Sequence, residues 1–113
     1  MHSRHFFAMA AICSVLLACV FPANIAFAHK VNIFAYVEGD RIFVESFFPD
    51  GKPVEGGKIV VLSPSGEKLF EGTTGKGGKI DFPIPRAEDL TIQMDASMGH
   101  KASYTLKKGE LGR

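Results

Sequence analysis

The chain has 113 residues, with 13 lysines and arginines against 12 aspartates and glutamates, so its formal net charge is +1. This balance, without any basic block, argues against nucleic acid as a partner. Both cysteines, Cys13 and Cys19, lie near the start. The rest of the chain therefore offers neither a disulfide nor a thiolate metal ligand.

The first 28 residues have the layout of a secretory signal. A short basic start precedes an apolar run over residues 6–21, then come a proline and a small-residue A-x-A tripeptide that ends at Ala28. We therefore predict a signal-peptide helix over residues 1–28, cleavage between Ala28 and His29, and a periplasmic or otherwise extracytoplasmic mature protein. Cleavage leaves 85 residues, enough for one small domain, with 12 basic and 12 acidic side chains.

A second interpretation of the leader concerns Cys19. The four residues that end at Cys19 resemble a lipoprotein-processing box, although Leu17 fits that box less well than a smaller residue. Lipidation at Cys19 would leave His29 inside the chain and remove its free amine.

Downstream of residue 29 the sequence is a series of short alternating runs between turns that contain glycine, proline or aspartate. In the first run Val31, Ile33, Ala35 and Val37 share one face, as they would on a half-buried strand. Seven strands are predicted, over residues 30–38, 41–48, 58–63, 68–73, 79–84, 90–96 and 101–106.

Strands at this spacing predict an all-β fold, a single antiparallel β-sandwich of the transthyretin-like or immunoglobulin-like kind over residues 29–106. Residues 85–89 are predicted to hold a single helical turn. The polar, glycine-containing residues 107–113 are predicted to form a flexible tail. The core candidates are Ile33, Val44, Val60, Phe70, Phe82, Ile92 and Tyr104.

Histidine offers the first candidate chemistry, since His29 and His100 are the two histidines after the leader. An N-terminal histidine carries a free α-amine and an imidazole, and together these can close a chelate ring on nickel, copper, cobalt or zinc. His100 follows the sixth predicted strand in a turn, where it could meet the N-terminus and complete a two-histidine site. The alternative interpretation of His100 is a turn histidine that faces solvent.

Two acidic residues and a methionine are further candidate ligands. Glu45 lies in a strand on the same side as Phe43 and Phe47, where a carboxylate must face solvent, find a partner or bind an ion. Asp95, at the end of the sixth strand, is a candidate oxygen ligand or a partner that orients a ligating imidazole. Met98 offers a thioether suited to Cu(I), although such a residue more often only packs. The predicted metal ligands are His29, His100, Glu45 and Asp95.

Catalytic constellations are missing from the sequence after the leader. No cysteine nucleophile remains, and neither a G-x-S-x-G elbow nor an H-E-x-x-H helix occurs. Residues 75–78 are rich in glycine but lack the spacing and the strand-to-helix context of a phosphate loop. We therefore do not expect an enzyme.

The mature chain resembles the small periplasmic accessory component of energy-coupling-factor nickel and cobalt importers, the NikL or CbiL type. The resemblance covers nearly all of residues 29–106. Its most specific pieces are HKVNIFA at the start, then VEGD and VES in the first hairpin, and DASMGHKA near the end. The middle, residues 48–82, is similar to the carboxypeptidase-regulatory sandwich, a widespread motif that specifies the fold only.

This resemblance implies a domain outside the cytoplasmic membrane that works beside a membrane permease, with ATP-driven partners inside the cell. It also implies a divalent metal as cargo, nickel or cobalt, and it puts both His29 and His100 on the end motifs. The mature domain itself is not expected to span the membrane, because after Phe21 no apolar run approaches the ~20 residues that a membrane helix needs. Two alternatives are a periplasmic copper carrier or chaperone, and an adhesion or interaction sandwich without metal.

Overall fold

The computed structural model describes residues 30–112. The predicted signal peptide, its cleavage site and His29 lie outside the described residues. The strands are β1 (Asn32–Glu38), β2 (Arg41–Phe47), β3 (Lys58–Leu62), β4 (Lys68–Thr73), β5 (Lys79–Pro83), β6 (Leu90–Asp95) and β7 (Lys101–Leu106). All seven predicted strands are confirmed, and their ends differ from the prediction by two residues at most.

The strands form two antiparallel sheets, one of three strands in the order β1-β2-β5 and one of four in the order β4-β3-β6-β7. The first hairpin turns tightly at Gly39, whose φ of +60° is accessible to glycine without steric cost. Glu38 and Arg41 pair on either side of that turn. The predicted all-β, two-sheet antiparallel fold is thus confirmed.

The hydrophobic core lies between the two sheets, where alternate residues of each strand meet. Ile42 and Val44 of β2, like Ile92 of β6, are fully buried. Phe82 of β5 stacks on Phe70 of β4 with 4.2 Å between ring centroids, so this pair connects the three-stranded sheet to the four-stranded sheet. Among the predicted core residues, Val44, Phe82 and Ile92 are buried, while Ile33, Phe70 and Tyr104 are partly buried against the core.

The prediction that Val60 belongs to the core is wrong. The buried residues of β3 are Ile59 and Val61, so Val60 lies on the outer face, opposite Glu71 of β4. Because β3 is a central strand, its sequence is apolar on both faces and carries no alternation from which the inward face could be chosen.

Residues 85–89 contain a bend and not the predicted helical turn. The segment is held by bonds to distant parts of the chain, which replace the local bonds of a helix. The N–H of Ile84 donates to the carbonyl of Asp40 at 2.9 Å, and the Asp89 carboxylate accepts the N–H of Lys108 at 2.8 Å. Helical structure in residues 30–112 consists of two 3-10 turns, Lys76–Gly78 and Lys108–Leu111. No helix in this part of the chain is long and apolar enough to cross a membrane.

The segment after β7 differs from the flexible tail that the sequence predicted. Lys108–Leu111 is a 3-10 turn near β1, and Leu111 is fully buried in the core. The N–H of Lys107 donates to the Glu110 carboxylate at 3.3 Å, which closes the start of this turn. One buried leucine thus anchors an otherwise polar segment, and the sandwich extends to Leu111.

Candidate metal centre

The turn between β6 and β7 positions His100. The N–H of Ala96 donates to the carbonyl of His100 at 2.8 Å, and the N–H of His100 donates to the carbonyl of Ser97 at 3.0 Å. Ser97, Met98 and Gly99 all have positive φ angles, of 68°, 51° and 82°. Glycine adopts this region at no steric cost. Serine and methionine are strained there, and the hydrogen bonds of the turn must offset that strain.

Two contacts fix the ring of His100, which is only partly exposed. Its Nδ1 lies 3.0 Å from the Ser97 carbonyl oxygen. Because a carbonyl only accepts, Nδ1 carries the proton in this contact, and Nε2 is then the basic nitrogen of the neutral ring. The ring also meets Phe48 edge-on, with 5.4 Å between centroids and 80° between planes. These contacts hold the ring in one orientation relative to the turn.

His100 lies at the end of the sandwich where the described chain starts. Phe48 follows β2 directly, and Phe47, the last residue of β2, is opposite Asn32, the first residue of β1. The Ser46 hydroxyl donates to the Asn32 carbonyl at 2.9 Å and ties the two strands together at this point. Since Phe48 contacts the His100 ring, the start of β1 and the β6–β7 turn share one end of the molecule.

Asp95, the last residue of β6, accepts a hydrogen bond from the turn that follows it. Its Oδ1 accepts the N–H of Ser97 at 2.9 Å. The residue lies on the outer face of the four-stranded sheet, paired across the strands with Lys58 and Lys101. Of the two roles predicted for Asp95, orienting an imidazole therefore has a geometric basis, through Ser97 and not through direct contact with His100.

Glu45 lies on the outer face of the three-stranded sheet. Its side chain is 29% exposed and its Oε1 is 3.5 Å from the Nζ of Lys79, the residue opposite it on β5. This ion pair accounts for a carboxylate in an apolar strand. Glu45 and Asp95 therefore lie on the outer faces of opposite sheets and do not converge on one ion.

The predicted ligands are thus only partly brought together. Within residues 30–112, no group of three or more histidine, cysteine, aspartate or glutamate side chains could hold a metal ion. Asp95 and His100 share the β6–β7 turn, Glu45 is elsewhere, and His29 lies outside the described residues. Met98, at the tip of the same turn, is 91% exposed.

An ion-pair cluster on the outer face of the four-stranded sheet was not found from the sequence. The Glu71 carboxylate is 2.8 Å from the Nζ atoms of both Lys58 and Lys68. Hydrogen bonds from these two ammonium groups lower the pKa of Glu71 to about 2, and Glu71 in turn raises the pKa of Lys58. The single carboxylate of Glu71 is therefore engaged by two ammonium groups and is not available as a metal ligand.

Four aromatic residues on the outer face of the three-stranded sheet form a surface that we call the aromatic face: Phe34, Tyr36, Phe43 and Phe47. Phe34 is 48% exposed and Phe47 is 36% exposed. Tyr36 stacks on Phe43 with 5.5 Å between centroids, and Phe34 lies 5.7 Å from Tyr36. The alternation of β1 and β2 carries the signal for this face, because all four residues occupy outward positions.

Comparisons of the chain with protein-family models, with curated protein sequences and with solved structures give no match. The resemblance to an accessory component of nickel and cobalt importers therefore stays a hypothesis. The function has to be argued from the residues themselves.

Proposed function

We propose that this protein is a periplasmic metal-binding accessory domain of a nickel or cobalt importer, without catalysis of its own. It binds the divalent ion through the N-terminal histidine of the processed chain together with His100. The observation that carries the proposal is the fixed ring of His100 at the end of the sandwich where β1 begins. The end motifs of the resemblance, which contain both histidines, point the same way.

Chain connectivity supports a meeting of the two histidines. Residue 29 precedes Asn32, the start of β1, by three positions, a reach of about 10 Å in an extended chain. Asn32 is opposite Phe47, and the neighbouring Phe48 touches the His100 ring. This short connection supports a scheme in which the amine and the imidazole of His29 join His100, the third nitrogen donor.

The donor set determines the class of ion. Nitrogen ligands suit nickel, cobalt, copper and zinc, whereas magnesium and calcium prefer oxygen. Three donors leave further coordination positions open, which suits an ion that is carried as cargo and passed to a permease. The permease partner itself comes from the resemblance.

The test is isothermal titration of Ni²⁺ into three forms of the processed protein: the native form that begins at His29, a form with one extra N-terminal residue, and His100→Ala. Extension removes the chelating amine and His100→Ala removes the anchored imidazole, so each should weaken binding about tenfold or more. Binding should also weaken as the pH falls, since nitrogen ligands must lose their protons to coordinate a metal.

Equal Ni²⁺ affinity in all three forms would show that both histidines are bystanders. Intact mass of the exported protein supplies the required control on processing. A mass that begins at His29 is expected, and a lipidated Cys19 or a retained leader would remove the amine ligand from the scheme.

The copper alternative draws support from Met98, a residue that is 91% exposed and lies two positions before His100. Soft thioether sulfur favours Cu(I) over nickel. Met98→Leu preserves the size and apolar character of this exposed side chain, so it is a matched variant. Unchanged Ni²⁺ affinity is expected; a large loss of Cu(I) affinity in this variant, with Cu(I) preferred by the native protein, would favour a copper carrier.

The non-metal alternative draws support from the aromatic face, where Phe34 and Phe47 are exposed and Tyr36 stacks on Phe43. Exposed aromatic clusters are typical of surfaces that contact other molecules. Equilibrium dialysis separates the two classes. Failure of nickel, cobalt, copper and zinc to bind the processed protein would leave the interaction sandwich as the better hypothesis.

A further inference from the structure

We infer that one end of the sandwich docks on a lipid bilayer with anionic headgroups, without crossing it. We call this end the cationic tip, and its exposed side chains are Lys30, Phe47, Lys52, Lys76, Met98 and Lys101. The inference goes beyond the proposed function, because it needs neither a bound metal nor His29.

Segments that are distant in sequence meet at the cationic tip. Phe47, the last residue of β2, is opposite Asn32 at the start of β1. Phe48, which follows it, contacts the ring of His100 in the β6–β7 turn. The 3-10 turn Lys76–Gly78 leads into β5, which is paired with this end of β2. Loops of both sheets therefore share one surface.

Large apolar side chains are exposed at the tip. Three such side chains are exposed within residues 30–112, and two of them, Phe47 at 36% and Met98 at 91%, lie here. Met98 protrudes from the β6–β7 turn with a left-handed φ of 51°, a costly conformation for methionine. Contact with the interfacial region of a bilayer would remove both side chains from water.

The tip also collects lysines that have no ion pair in the described part of the chain. Residues 30–112 contain 11 lysines and arginines, of which six form ion pairs and five do not. Four of these five are at the tip, namely Lys30, Lys52, Lys76 and Lys101, and all four are exposed. Such lysines are free to meet lipid phosphates.

The carboxylates at the tip are fewer than the lysines. Asp50, Glu55 and Asp95 have no ion pair among the described residues, and each accepts a backbone N–H. Four unpaired lysines against these three carboxylates leave the tip with an excess of one positive charge.

The opposite end of the sandwich has the reverse charge. Among the described residues there, Lys108 is the cation without an ion pair, against the unpaired carboxylates of Glu38, Asp40 and Glu110. This end thus has an excess of two negative charges. An anionic bilayer attracts lysines and repels carboxylates, so it should orient the molecule with the tip toward the lipid.

A bilayer fits the tip better than a second copy of the chain. A two-fold contact between two tips would bring their unpaired lysines together, and like charges repel. Lipid headgroups instead offer phosphates to the lysines, while the region below them takes up Phe47 and Met98. Charge and apolar exposure therefore select the same occupant.

The test measures co-sedimentation with lipid vesicles. It uses the protein that begins at residue 29, since the apolar run of the leader would bind lipid by itself. Both sheets and the core between them lie within residues 30–112, so this form keeps the sandwich. Vesicles of phosphatidylcholine with about one quarter phosphatidylglycerol should bind it at least about tenfold more tightly than pure phosphatidylcholine. Salt at about 0.5 M should remove most of this difference.

A pair of charge reversals at the two ends tests the orientation. Each lysine near an anionic surface contributes a factor of about five to binding, so Lys52→Glu should weaken binding about tenfold or more. Lys108→Glu is the matched control, because it makes the same charge change at the opposite end. Its binding should stay within about twofold of native. Equal losses in both variants would overturn docking through the tip.

A pair of substitutions at Met98 tests the apolar contact. Met98→Asn removes the apolar side chain, and asparagine tolerates a left-handed φ better than methionine does, so the turn is kept. Binding to the anionic vesicles should fall about fivefold or more, whereas Met98→Leu should bind within about twofold of native. Circular dichroism of each variant checks the fold.

Tryptophan fluorescence locates the contact directly. The chain contains no tryptophan, so Met98→Trp places a single fluorophore at the tip, and Lys108→Trp places one at the opposite end. Anionic vesicles should shift the emission of Met98→Trp to the blue and leave that of Lys108→Trp unchanged. Equal binding to both kinds of vesicle, or an emission of Met98→Trp that vesicles do not change, would overturn the inference.

Discussion

The hydroxyl group of Thr74 should contribute measurably to the stability of the sandwich. Thr74 is 3% exposed. Its Oγ1 donates to the carbonyl of Val54 at 2.6 Å and accepts the N–H of Gly57 at 2.9 Å. These bonds tie the connection between β2 and β3 to the segment after β4. The substitution Thr74→Val removes them both, since it replaces the hydroxyl by a methyl group of similar size.

The expected cost follows from the two backbone groups that lose their partner. Each buried, unpaired group costs about 1–3 kcal/mol, and the added methyl group returns at most about 1 kcal/mol. The free energy of unfolding should therefore fall by roughly 1–6 kcal/mol, with a middle value of about 3 kcal/mol, a large part of the ~5–15 kcal/mol typical of a domain. For a domain of this size the middle value corresponds to a fall in Tm of about 10–25 °C.

Thermal and urea unfolding followed by circular dichroism measure this effect. Thr74→Ser is the control, because it keeps the hydroxyl and loses only a methyl group, at a cost of about 1 kcal/mol. Valine should therefore be clearly less stable than serine. If Thr74→Val were as stable as Thr74→Ser, packing and not hydrogen bonding would explain the burial of this residue.

Two further predictions concern backbone space and charge. Gly78→Ala should prevent folding or destabilise the protein severely, because Gly78 has a φ of +71° and an added Cβ would overlap the Ser46 carbonyl oxygen. Gly66 also has a positive φ, of +86°, but open space lies around it. Gly66→Ala should therefore lower the free energy of unfolding, measured in urea, by only about 1–2 kcal/mol. The pKa of Glu71 is lowered to about 2 in the folded protein. The stability that Glu71 contributes is therefore present above its unfolded pKa of about 4.3 and is lost as the pH falls toward 2. In urea unfolding, Glu71→Gln should reduce the loss of stability between about pH 4 and pH 2. Added salt should reduce the stability difference between the native protein and this variant, since the group is exposed.

The sequence predicts this fold well wherever a strand is buried on one face. In β1 the inward residues Ile33 and Ala35 alternate with polar or aromatic outward residues, and the observed burial follows that alternation. In β3 the residues Ile59, Val60 and Val61 are apolar without a break, so the sequence predicts a strand but not its register. The anchor of the last turn, Leu111, is a single apolar residue and has no pattern to reveal it.

The candidate site is predicted only in part, for a related reason. Its position in the turn after the sixth strand follows from the sequence, and so do the candidate residues Asp95 and His100. The connection between them depends on Ser97 and Met98 adopting left-handed φ values, which these residue types seldom do. The contact of Phe48 with the His100 ring joins two segments distant in sequence, so local patterns carry no trace of it.

In the proposed site one donor comes from His100 and another from the N-terminal amine, so metal binding would depend on processing. The fold holds one donor, His100, in a fixed orientation through Ser97 and Phe48. In the proposed scheme the amine of His29 exists only after cleavage before it, because in the uncleaved chain that nitrogen belongs to a peptide bond and cannot act as an amine ligand. Under the proposed processing, an uncleaved chain lacks this chelate and should bind copper or zinc more weakly than the processed form. The form with one extra N-terminal residue reproduces this chemistry, so its loss of Ni²⁺ affinity would measure how far cleavage controls the site.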